Sequence, residues 1–199
     1  MRLHIYFDYT CPFCYVGTRR IRTLLKSFED FEPVWHPFEL RPKPTDRAAA
    51  DAGNPWGEAL AEEARKEGLE LNAPFSPYPY TALAFQGMHF VASVKGDVET
   101  YNERVFEAVF RDGQDVGDIG VLIEIAEGMG LDAEAFGKAL SEGLFENRQA
   151  KALRHAYFEA GVQEVPTYIS MKRKASGTIS REAMEAFLDE CREAWERGR

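Results

Sequence analysis

Residues 7–17 read FDYTCPFCYVG: two cysteines, Cys11 and Cys14, stand at the end of an apolar run and directly before a helical pattern. The run before them, Arg2 to Phe7 (RLHIYF), alternates and then turns apolar, as a strand entering a core does. After them Ile21, Leu24, Leu25 and Phe28 recur at helical spacing. The order is therefore strand, cysteines, helix. Pro12 suits the first position of a helix, which makes Cys11 the N-cap and sets its sulfur beside the free amides of Phe13 and Cys14. Those donors and the helix dipole favour a thiolate, so Cys11 is expected to have a lowered pKa and to be the nucleophile. Cys14 lies one turn further in, within bonding reach and less exposed, and is the expected resolving thiol.

Two other uses of the pair compete with this one. A structural zinc site needs four ligands, usually a second cysteine pair or a paired histidine motif. Neither is present, and His4, His36, His89 and His155 are scattered without ligand-like spacing. No metal is expected. Two inert packing thiols are the remaining alternative, but such cysteines seldom need a helix start between them. Cys191 falls on a helical stripe with Met184, Phe187, Leu188 and Trp195, and is expected to act as a small apolar core residue.

The 199 residues are 45% hydrophobic, 29% charged and 13% aromatic, which fits a globular chain with ample length for a core. No stretch nears the roughly 20 apolar residues that span a bilayer. The opening MRLHIYFDY lacks the apolar stretch and cleavage site of a secretory signal, so a cytoplasmic protein is expected. A net charge of −9 works against phosphate backbones and anionic membranes, and the only compact basic run is KRK at 172–174. Neither nucleic acid nor a membrane is an expected partner.

A second strand is predicted over Glu32 to Leu40, with Pro37 marking an edge or a bend. RPKPTDRAAADAGNPWG (41–57) reads as a loop. From Trp56 the chain becomes helix after helix, broken by the prolines of LNAPFSPYPY (71–80). Helices are predicted over Thr81 to Val94, Val98 to Phe110 and Asp118 to Met129, then from Asp132 as N-cap. A further stripe of Phe145, Gln149, Leu153, Ala156 and Ala160 stops at Gly161. Strand character returns in Val165 to Ser170, with a hairpin partner from Lys174 to Ile179, and Ser180 caps a final helix. Sequence alone favours a trans Val165–Pro166 bond.

With FDYTCPFCYVG, WHPFELRP and GVQEVPTY in view, the chain resembles the DsbA-like thioredoxin-fold oxidoreductases, specifically their cytoplasmic FrnE-like branch. The resemblance covers nearly the whole length and includes Asp8, Tyr15, Gly17 and VFEAVFRDGQDVGD. It implies an α/β protein: a thioredoxin-like core in two halves, residues 1–55 (β-α-β) and 161–199 (β-β-α), around an all-helical insertion at 56–160. It also implies thiol-disulfide exchange at Cys11 and Cys14, with Pro12, Phe13, Val165, Pro166 and Thr167 forming the substrate ground. In this family Pro166 is cis and faces the cysteines, so that the Val165 backbone pairs with an extended substrate. Expected partners are proteins bearing thiols or disulfides, and glutathione or another small thiol; no cofactor is implied.

The chain departs from the family at Phe13, where periplasmic relatives carry a histidine, and at Glu164, where many relatives have glycine. A related branch, the kappa-class glutathione transferases and hydroxychromene-carboxylate isomerases, shares the fold but usually has serine where Cys11 stands. The aromatics of the insertion (Phe75, Tyr78, Tyr80, Phe85, Phe90, Tyr101, Phe106, Phe110) admit a third reading, a groove for unfolded chains, against the plainer one that they fill the core.

Overall fold

The computed structural model describes residues 1–44, 57–72 and 78–198. Strand β1 (Arg2–Phe7) leads into helix α1 (Pro12–Leu25), and strand β2 (Glu32–Pro37) follows. Helices α2 (Gly57–Lys66), α3 (Ala82–Ser93), α4 (Val98–Phe110), α5 (Ile119–Gly128), α6 (Ala133–Ser141) and α7 (Glu146–Arg154) come next, then a π-helical turn at His155–Glu159. Strands β3 (Thr167–Ser170) and β4 (Arg173–Ser176) and helix α8 (Arg181–Arg197) complete the chain. The sheet order is β2-β1-β3-β4, with β1 parallel to β2 and antiparallel to β3. This is the thioredoxin-like α/β arrangement with the helical stretch inserted between β2 and β3. The boundary at 55/56 and Phe75 lie outside the described residues.

Two apolar clusters hold it together. Leu3, Ile5 and Tyr168 pack with Ile21 and Leu24 of α1 and with Met184, Phe187, Leu188 and Cys191 of α8. Phe7, Tyr9, Tyr15 and Val16 share a second cluster with Phe85, Tyr101, Phe106 and Phe110 of the inserted helices. Burial of that apolar surface, at about 25 cal/mol per Å², drives the helical stretch onto the sheet half of the molecule. Cys191 is fully buried, as its stripe predicts. Arg20 of α1 is also buried, and its guanidinium bonds Glu63 of α2, Glu67 just after that helix and the carbonyl of Ile179.

Several boundaries differ from expectation for local reasons. Strand β2 stops at Pro37 instead of Leu40, because the Leu40 N–H donates to the Asp8 carboxylate rather than to a neighbouring strand. The β3/β4 hairpin is tighter than expected: Ser170 pairs Arg173 across Met171 and Lys172, both at positive φ, so β4 begins at Arg173. It ends at Ser176 rather than Ile179 because Gly177, at φ 78, turns the chain and its N–H bonds the Pro166 carbonyl. The stripe from Phe145 to Ala160 breaks into α7 and the π turn, where Ala160 N–H reaches back five residues to His155. Among the described residues no helix is long and apolar enough to cross a membrane.

Candidate active site

Cys11 takes the N-cap of α1 in an extended conformation, with Pro12 opening the helix. Its Sγ accepts a hydrogen bond from the Cys14 N–H at 3.2 Å, and its thiol donates to the Val165 carbonyl at 3.6 Å. Both cysteines are free thiols. Cys11 keeps 3% of its surface and Cys14 none, so the expected order of exposure holds, but the expected open nucleophile is corrected to a nearly covered one. The physical reason is a segment distant in sequence: the Val165 carbonyl stands against the sulfur. Burial, then the hydrogen bond with Cys11 and its charge, pushes the Cys14 thiol well up. Cys14 is thereby held as a protonated thiol.

The Val165–Pro166 bond is cis, as the resemblance implies and unlike the trans form that sequence alone favours. Gly17, on the second turn of α1, lies beneath it: a Cβ there would stand 2.3 Å from the Tyr168 hydroxyl and 3.2 Å from Cγ of Pro166. Helix and proline segment meet at a distance only glycine permits. Of the residues expected to form the substrate ground, Phe13 presents 41% of its surface. Pro12, Val165 and Pro166 are buried, and Thr167 is completely so, its hydroxyl donating to the Glu164 carbonyl at 2.7 Å. Glu164 is exposed, and its carboxylate accepts from Ser176.

Beneath the pair sits Asp8, 1% exposed. Its carboxylate accepts from the N–H and hydroxyl of Thr10, from the Leu40 N–H and from Thr81, and its carbonyl accepts from the Cys11 N–H at 3.1 Å. Burial raises its proton affinity against the opposing pull of those donors. Next to it Glu39, 5% exposed and likewise raised by burial, accepts from Gln149, which in turn bonds His89. The role of Glu39, Gln149 and Thr81 was not readable from sequence, since they come from three segments; the one signal was an aspartate closing an apolar strand.

Three of the four histidines, scattered in sequence, meet on one face of the sheet. His4 Nδ1 lies 2.8 Å from His36 Nε2, His36 stacks on Tyr6, and the Tyr6 hydroxyl is 3.3 Å from His155 Nε2. Burial, then the neighbouring His4 and His155, lowers His36 to about 4. Among the described residues no three metal-binding side chains are arranged to hold an ion. Of the insertion's named aromatics, Phe85, Tyr101, Phe106 and Phe110 are at most 1% exposed, Tyr78 and Phe90 are buried too, and Tyr80 is half-buried. The plainer reading, that they fill the core, holds for the six buried ones.

A family model described as the DSBA-like thioredoxin domain matches residues 2–189. The Bacillus subtilis protein YwbO is 38% identical over 196 residues, covering 96% of both chains. Among solved structures, a probable DsbA oxidoreductase of Streptomyces coelicolor superposes with a TM-score of 0.80 at 25% identity, over 98% of this chain and 90% of that one. A 2-hydroxychromene-2-carboxylate isomerase superposes at 0.73 with 19% identity, over 98% of each chain, which is a likeness of fold.

Proposed function

Because the chain belongs to the family of DSBA-like thioredoxin domains, we propose that it is a thiol-disulfide oxidoreductase whose centre is Cys11-Pro12-Phe13-Cys14. The observation that carries this reading is the asymmetric pair: Cys11 capping α1 with an amide donor on its sulfur, and Cys14 fully buried and kept protonated. The Cys11 thiolate attacks one sulfur of a substrate disulfide, a mixed disulfide forms, and the other substrate sulfur leaves as a thiolate. Cys14 then gives up its proton and attacks Cys11 Sγ, which releases the second substrate thiol and leaves the Cys11–Cys14 disulfide. In this direction an external thiol, protein-borne or small like glutathione, reduces the Cys11–Cys14 disulfide again; run in reverse, the same steps oxidise a substrate dithiol and leave the pair reduced. Phe13 gives an apolar landing surface beside the sulfur, and the segment Val165 to Thr167 forms the opposite wall.

A resolving thiol is what separates this reading from the isomerase and transferase chemistry that shares the fold, where one hydroxyl or thiol suffices to activate glutathione. The test is alkylation of the native protein followed by peptide mass mapping. Cys11 is expected to be labelled before Cys14 and Cys191; labelling of Cys191 first, or of neither active-site thiol, overturns the assignment.

A further inference from the structure

Tyr168 stands on β3, two positions beyond Pro166, fully buried and in the same apolar cluster as Ile21 and Leu24 of α1. Its hydroxyl reaches the helix that carries the cysteines, so close to Gly17 that a Cβ there would lie 2.3 Å away. Gly17 follows Cys14 by three positions, which puts the two on one face of α1. Yet the hydroxyl oxygen is buried and has no hydrogen-bond partner. Buried polar groups in folded chains are paired nearly everywhere, and one left unpaired beside a reactive centre is suited to a partner that appears only during the reaction.

Cys14 is such a partner. It has no surface open to solvent, and burial, then the hydrogen bond with Cys11 and the Cys11 charge, keeps its proton on. To close the disulfide it must shed that proton, and the resulting anion forms in a place where water cannot solvate it. A hydrogen bond from the Asp8 backbone favours the anion, while the buried Asp8 carboxylate opposes it. Tyr168 feels the same charge: burial holds its phenol proton firmly, Cys14 adds to that hold, Arg20 opposes it and Cys11 adds less. A phenol this reluctant to ionise remains a donor, and its O–H is free to turn because nothing else engages it. A donor that gains its acceptor only when Cys14 ionises favours the reacting state over the resting one.

We propose that the Tyr168 hydroxyl is the hydrogen-bond donor that stabilises the Cys14 thiolate in the resolving step. The role rests on the thiol-disulfide reading above, and the two are separated by following each sulfur in turn.

The probe is dithionitrobenzoate, a symmetric aromatic disulfide, mixed in limiting amount with the reduced full-length protein and followed by the colour of the released thiolate. Cys11 attacks one of its sulfurs, which releases a first thiolate and leaves the other half in a mixed disulfide. Cys14 then loses its proton to solvent and attacks Cys11 Sγ, and the second thiolate leaves as the Cys11–Cys14 bond closes. Tyr168→Phe keeps the ring and removes one unpaired oxygen, so the fold is retained. It should leave the first release unchanged and move the midpoint of the pH profile of the second upward by about one unit, the effect of a lost hydrogen bond to a charged group. At neutral pH the second release should be several-fold slower, the smaller thiolate fraction being partly offset by the greater nucleophilicity of a more basic sulfur. The other titratable and charged groups facing these two residues are Cys11, Asp8 and Arg20, and the variant keeps all three. A second release with unchanged rate and pH midpoint, or both releases slowed alike, overturns the proposal. Release of only one thiolate per reagent from the parent protein overturns the thiol-disulfide reading itself, and this role with it.

Discussion

The carbonyl oxygen of Val165 lies 3.6 Å from Sγ of Cys11, across 154 positions of sequence. The reduced Cys11 thiol donates to that carbonyl while its sulfur accepts from the Cys14 amide. The Cys11 sulfur thus ties the segment before Pro166 to the first turn of α1.

Replacing each cysteine by serine should separate their roles. Cys11→Ser should lower disulfide-exchange turnover on the order of 10³-fold, because a serine hydroxyl does not ionise in this range. Cys14→Ser should accumulate a mixed disulfide with the substrate, detected by mass spectrometry under non-reducing conditions. Wild-type turnover in Cys11→Ser removes the mechanism.

Gly17→Ala should disturb the proline segment from below. The added methyl collides with the Tyr168 hydroxyl and presses on Pro166, and overpacking of this kind costs about 1–3 kcal/mol. The Tyr168 hydroxyl is buried without a partner, so Tyr168→Phe alone should leave stability unchanged or raise it. In the double variant the ring edge sits at ordinary contact distance, and urea unfolding should recover. A double variant no better than Gly17→Ala would show that the clash lies elsewhere.

Arg20→Met should destabilise the fold by less than the roughly 3–5 kcal/mol of a fully stranded charge, because Glu67, only 5% exposed, loses its buried partner and keeps the part-exposed Arg181 at 3.1 Å. Adding Glu67→Leu should return part of that loss, since an apolar pair fills the same volume without a half-paired buried carboxylate. Denaturant midpoints of the parent, the single variants and the double variant measure the coupling.

Acid should weaken the fold through His36. Its folded value of about 4 lies below the ordinary 6.5, so the unfolded chain binds the proton more readily. Its contribution to stability is therefore complete above about pH 6.5 and is lost as the pH falls towards 4, by about 2 kcal/mol between pH 7 and pH 5. The groups facing it are His4, Tyr6 and His155. His36→Asn should show a shallower decline over that interval; an unchanged slope would place the proton uptake on other groups.

How far the fold could be read from sequence depended on how local each cause was. The strand, the cysteine N-cap and α1 follow from residues 2–25, where alternation, a proline at the helix start and the apolar spacing all agree. The insertion was legible as helices, for Asp97, Asp118 and Asp132 each cap one through a side-chain bond to a nearby amide. Strand ends were less legible, because β2 is cut short by a bond from Leu40 to Asp8, thirty-two positions away, and β4 by the turn at Gly177.

Sequence by itself determined which sulfur caps the helix and which lies one turn behind, since both depend on a few neighbouring amides. Only the tertiary structure decided how little of Cys11 is open, that Asp8, Glu39, Gln149 and His89 form one buried polar row, and that three scattered histidines stand together. Those outcomes rest on contacts between segments up to 154 positions apart, and the packing that brings such segments together is a property of the closed core, which no local pattern of residues encodes.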